Sequence, residues 1–140
     1  MKLLNFEIES PNAIAVRAIN LYWDLHNFAQ FLGMRLEPDT AVVLTWTIPD
    51  SAPSGGFATD NPYRACELWF RGLRSVEVRA PETDIPNSEN RKLHQLAMYS
   101  ANESTHVPSD GSHVVFSFIG GLSIRIDAAE AEFHPLEDSL

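Results

Sequence analysis

Cysteine is nearly missing from this sequence: Cys66 is the only one among 140 residues. An intrachain disulfide is therefore excluded, and an ordinary apolar core has to hold the fold. Long apolar runs are missing too. No stretch approaches the roughly 18 residues that a membrane helix requires, so no membrane partner is expected. The segment Met1-Lys2-Leu3-Leu4-Asn5-Phe6-Glu7 becomes charged before a secretory apolar region develops, which makes the cytoplasm the expected compartment. Basic residues are scarce in the second half. Residues 81–140 carry three basic and ten acidic side chains, a balance of -7, against seven and nine in residues 1–80. With a formal net charge of -9, the chain lacks the basic footprint that binds phosphate backbones, and nucleic acid is not an expected partner.

The sharp catalytic motifs are absent as well. There is no phosphate loop, dinucleotide fingerprint, nucleophile elbow, zincin pair or paired Cys-x-x-Cys, and no cofactor is expected. Gly55-Gly56 and Gly120-Gly121 are isolated doublets that read as turns.

What the sequence does hold is an apolar fraction of 44% and a charged fraction of 21%, ordinary for a globular chain. Its length fits one β-rich domain over residues 1–140. Alternation is the dominant pattern. Leu4, Phe6 and Ile8 share one side of a strand over residues 2–9. Leu32, Met34 and Leu36 alternate, turn chemistry follows at Glu37-Pro38-Asp39-Thr40, and Val42, Leu44, Trp46 and Ile48 alternate in turn. That pair reads as a β-hairpin. Residues 49–64 read as a long loop. Cys66, Leu68 and Phe70 face one way, with Glu67, Trp69 and Arg71 on the other. The phase breaks at Gly72 and resumes at Val76 and Val78, as a bulge or tight turn at Gly72-Leu73 would cause. Val114, Phe116 and Phe118, a turn at Gly120-Gly121, and Leu122, Ile124 and Ile126 make a second hairpin. Residues 134–140 are expected to fray.

Two helices are expected. Ser10-Pro11 resembles a helix start, and Ile14, Ala18, Leu21 and Leu25 recur at helical spacing, although the β-branched Ile14, Val16 and Ile19 leave residues 11–23 open to strand. Asn87 or Ser88 can cap a short helix to about Ser100, with Leu93, Leu96 and Ala97 on one face. The fold class is thus mostly β (α+β): an antiparallel β-sandwich or rolled sheet with one or two short helices.

The candidate site is Trp69 with Arg71 and Arg74. Trp69 stands on the polar face of its strand, so it is either covered or presented to a partner, and Trp and Arg are the types enriched at interface hot spots. The plainer reading has these arginines, and Arg79 beyond them, paired with the acidic excess. A weak metal set is His106, Asp110 and His113, with His94 or His134 in reach of a loop, but its spacing matches no named site. Cys66 reads as a buried, inert thiol. Asp24, Glu67, Glu77 and Asp127 are the carboxylates best placed to pair for acid–base chemistry.

Three stretches carry a resemblance: Trp23-Asp24-Leu25-His26, Leu68-Trp69-Phe70-Arg71-Gly72-Leu73-Arg74-Ser75-Val76, and the hairpin from Val115 to Ala128 ending in Asp127-Ala128. They are similar to patterns in small β-rich bacterial proteins grouped with toxin-neutralising immunity proteins, and cover about a fifth of the chain. The resemblance implies a β-rich fold and a protein-binding role, and it transfers no catalytic residue. The expected function is therefore a protein-binding module whose acidic surface suits a basic partner. The alternatives are a small-ligand binder or small enzyme with a pocket near Trp69 and Arg71, and a homodimer in which a second copy covers Trp69.

Overall fold

The computed structural model describes residues 1–8, 15–18, 21–27, 29–48, 63–81, 87–99 and 113–136. Their strands are β1 (Lys2–Leu3), β2 (Phe6–Ile8), β3 (Ala15–Ala18), β4 (Leu21–Asp24), β5 (Gln30–Glu37), β6 (Ala41–Thr47), β7 (Ala65–Arg79), β8 (Leu93–Tyr99), β9 (His113–Phe118) and β10 (Ser123–Leu136). A 3-10 helix, Asn87–Arg91, precedes β8. The mostly β class is as expected. A large sheet runs β5-β6-β7-β10-β9-β8, with β1 added to β10, and a small sheet runs β2-β3-β4. Among the described residues every strand pairing but β1–β10 is antiparallel.

The long strands β7 and β10 shape the large sheet. β6 pairs with the first half of β7, from Ala65 to Arg71, whereas β9 pairs with the first half of β10, from Ser123 to Asp127. Between these halves the β7–β10 register shifts, with Asp127 opposite Ser75 and Ala128 opposite Leu73, which leaves Arg74 as the extra residue of a bulge. Gly72 lies two residues earlier with φ +66°. A Cβ there would stand 2.7 Å from the Ala129 Cβ, so only glycine lets the two strands lie this close at this point. The expected break at Gly72-Leu73 is thus real, and it lies within one continuous strand.

The sheet curls back on itself. β6 and β9 are separated by two strands, yet the Trp46 and Phe116 rings lie 5.5 Å apart, and Phe31 meets Phe118 at 4.9 Å. The enclosed core takes one face of each strand: Val42, Leu44, Trp46, Cys66, Leu68, Phe70, Phe116, Ile126 and Phe133 are all buried. The small sheet adds Phe6, Val16 and Trp23, with Trp23 edge-on to Phe133 at 6.1 Å. β1 continues along β10 where β9 stops, and Asn5 extends it by exchanging two side-chain hydrogen bonds with the Phe133 backbone.

Several expectations need correction. The helix expected over residues 11–23 is replaced, where described, by the β3–β4 pair, in which Val16 faces Trp23 and both are fully buried. Two strands of four residues each show too little of either period for spacing to tell them from a helix. The helix expected from Ser88 to Ser100 is a 3-10 turn followed by β8. Its misleading period has a cause: a bulge between Leu93 and Gln95 puts Leu93 and Leu96 on the core face three residues apart, the spacing of a helix. The strand over residues 2–9 is divided between two sheets. The hairpin between β9 and β10 turns through Ile119-Gly120-Gly121, closed by Gly121 N–H to Phe118 O at 3.1 Å, with Gly121 at φ +94°. His134 to Leu136 do not fray but pair with Ala65 to Glu67.

Candidate functional site

The outward face of the large sheet, around the first half of β7, gathers polar and aromatic side chains from four strands. Strand pairing sets it out in rows. Arg35, Val43, Trp69 and Glu132 lie opposite one another on β5, β6, β7 and β10. The next row is Gly33, Thr45, Glu67 and His134, and the row on the other side is Glu37, Ala41, Arg71 and Glu130. Trp69 is half-buried at the centre.

Four side chains hold its ring in place. Trp69 Nε1 donates to Glu67 Oε1 at 3.1 Å. The Arg71 guanidinium lies 4.9 Å from the ring centroid and that of Arg35 lies 5.4 Å away, both within cation–π range. The His134 imidazole stacks on the ring at 5.6 Å and 25°. These groups are themselves tied down. Arg35 donates Nη1–H to Glu67 Oε2 at 2.5 Å and Nε–H to Glu37 Oε1 at 2.6 Å. Arg71 reaches Glu132 Oε2 at 3.2 Å, and His134 Nε2 donates to the other oxygen of the same carboxylate.

Glu67 is the keystone of the network, its side chain 12% exposed. Burial pushes its pKa up, but the hydrogen bonds from Arg35 and Trp69, with the charges of Arg35 and His134, outweigh that and hold the carboxyl below its ordinary 4.5. The same Glu67 hydrogen bond, then that of Glu37, raises Arg35 further above its usual range. Both groups are ionised across the neutral range. The cluster is a preorganised surface of one aromatic and fixed charges, without a nucleophile.

The structure brings Trp69 and Arg71 together and leaves Arg74 out. Arg74 sits on the bulge and bonds Asp127 Oδ1 at 2.9 Å and Ala128 O at 3.3 Å. The plainer reading of the arginines therefore describes Arg74 completely and Arg71 in part. Arg35, Glu132 and the stacking role of His134 were not legible beforehand.

Among the described residues the other candidates do not converge. His106 and Asp110 lie outside the described residues. His113 is buried on β9 opposite Asp127, while His134 is seven positions further along β10, roughly 23 Å on an extended strand. Among the described residues no group of three potential ligands could hold a metal. Asp24 ends β4 and holds the turn that follows: its carboxylate accepts from His26 N, Asn27 N and Asn27 Nδ2, and His26 in turn donates to Leu93 O. Glu77 is exposed on β7 opposite Arg125, and Asp127 is held by Arg74. Cys66 is fully buried, and burial, with the Glu67 charge added, raises its thiol well above the ordinary range. Native protein should therefore resist thiol alkylation at mildly alkaline pH and react fully once unfolded; rapid labelling of native protein would contradict the burial.

No protein-family model matches the chain, and neither a curated protein nor a solved structure matches it. The site therefore rests on its own geometry. Two open depressions lie on the described surface. The larger, about 740 Å³, lies along β1 and β2 beside Arg17 and Ala18. The smaller, about 260 Å³, lies over Gly33 between Leu32, Arg35 and Thr45. Neither is lined by Trp69 or Arg71. No described helix is long and apolar enough to cross a membrane.

Proposed function

We propose that this protein is a protein-binding module that presents the Trp69 face of its large sheet to a basic protein partner. One observation carries the reading. Trp69 stands half-buried on an outward sheet face, its orientation fixed by Glu67, Arg35, Arg71 and His134, and no described element packs over it. A rigid Trp beside Arg is the composition of an interface hot spot, and prior immobilisation lowers the entropy lost on binding.

Charge selects the partner. Glu37, Glu67, Glu130 and Glu132 share the face with Arg35, Arg71 and Lys2, which stands opposite Glu130 on β1, so acid outnumbers base by four to three with His134 counted as neutral. The whole chain, at -9, adds a field that steers a basic protein toward it. The resemblance of the Leu68–Val76 and Val115–Ala128 stretches to toxin-neutralising immunity proteins agrees with such a role. A small-ligand pocket is less well supported. The depression beside Arg35, about 260 Å³, is below the roughly 300–1,000 Å³ of ordinary ligand sites.

The test is affinity capture from the native organism with wild-type protein, followed by Kd measurement on the captured partner. Trp69→Ala should weaken binding by about thirtyfold or more, the hot-spot range, and salt should slow association. An unchanged Kd for Trp69→Ala, with wild-type folding, would sink the proposal.

A further inference from the structure

β5 ends the large sheet, and among the described residues no strand pairs with its outer edge. Such an edge presents backbone N–H and C=O groups that form a template for another strand. The two halves of β5 differ. In the first, a bulge at Leu32 interrupts the ladder, and Phe31 is packed against Phe118. The second half, Met34 to Glu37, pairs regularly with β6 and carries Leu36, which at 65% is the most exposed large apolar side chain among the described residues. Arg35 and Glu37, of opposite charge, flank it.

We infer that two copies of this chain pair antiparallel through the second half of β5, with the two-fold axis at Leu36. In that register Leu36 meets Leu36 of the second copy, and each Arg35 lies opposite a Glu37 of the other copy. Charge selects this register over its neighbours. A shift of two positions sets Arg35 against Arg35 in one direction and Glu37 against Glu37 in the other, and like charges directly opposite are destabilising. Isologous pairing satisfies both copies with one patch. So short a seam makes a concentration-dependent dimer. It leaves the Trp69 face uncovered and places two such faces on one continuous sheet, about five strand spacings or roughly 24 Å apart.

Sedimentation equilibrium over a broad concentration range tests this, independently of any partner protein. The expected mass rises from 15.6 kDa to twice that value. Glu37→Lys sets Lys against Arg across the seam and should return the chain to monomer without loss of folding. Leu36→Cys should form a disulfide-linked dimer under mild oxidation, because opposed residues on the axis stand about 4.5–5.5 Å apart, within disulfide reach. Leu32→Cys, outside the seam, should not. A 15.6 kDa mass at every concentration, a dimer indifferent to Glu37→Lys, or equal crosslinking at Leu32 would each overturn the inference.

Discussion

Gly72→Ala is expected to lower the unfolding free energy by about 2–5 kcal/mol, combining a left-handed backbone with overpacking. Gly72 has φ +66°, which an L-residue adopts at a cost, and the new methyl would stand 2.7 Å from the Ala129 Cβ. That contact is with a short, stiff side chain on the neighbouring strand, so the backbone itself would have to move. The position matters because β7 and β10 are the two longest strands and pair along their length through this point. Denaturant unfolding measures the loss. The double variant Gly72→Ala, Ala129→Gly removes the clash and should recover part of it, leaving the conformational component. A loss within about 0.5 kcal/mol, the range of an inert surface change, would mean that this pairing does not depend on glycine.

The second large effect belongs to Glu67. Glu67→Ala removes the acceptor shared by Arg35 Nη1 and Trp69 Nε1 and should cost about 0.5–1.5 kcal/mol, the net worth of a partly exposed hydrogen bond, because the Arg35 side chain is 45% exposed and can turn to water. It should also free the Trp69 ring to change rotamer, visible as a change in its fluorescence. The pH dependence has a definite sign. The folded-state pKa of Glu67 lies below the unfolded value of about 4.5, so the unfolded chain binds the proton more readily. The stability that Glu67 supplies is therefore fully present above that unfolded value and is lost as pH falls through the lower, folded value. Glu67→Gln should flatten this acid limb of the stability curve while the neutral region shifts less. An acid limb identical in wild type and Glu67→Gln would place the responsible carboxylate elsewhere.

Much of this architecture could be read from alternation alone. Val42, Leu44 and Trp46, then Cys66, Leu68 and Phe70, line the core as their period of two predicts, although Val43 on the other face of β6 is buried too, and the phase break at Gly72 lies beside the β7–β10 bulge. Where the reading failed, the cause was local. The Leu93 bulge converted a strand pattern into a helical one, and the short β3 and β4 offered too few residues for either period to dominate. The site was half legible for a similar reason. Trp69 and Arg71 share a strand, so spacing alone puts them on one face. Arg35 and Glu132 reach the same spot from 34 residues before and 63 residues after Trp69, through strand registers that only the folded chain defines.

The measurement that bears most directly on the account is site-specific photocrosslinking in the native organism. A photoreactive residue at Glu130, on the Trp69 face but outside the Trp69 hydrogen-bond network, should crosslink one basic protein. The same probe at Glu77, beyond the bulge of β7, should not. Equal crosslinking from both positions, or a product from Glu77 alone, would contradict the claim that the Trp69 face is where this protein meets its partner.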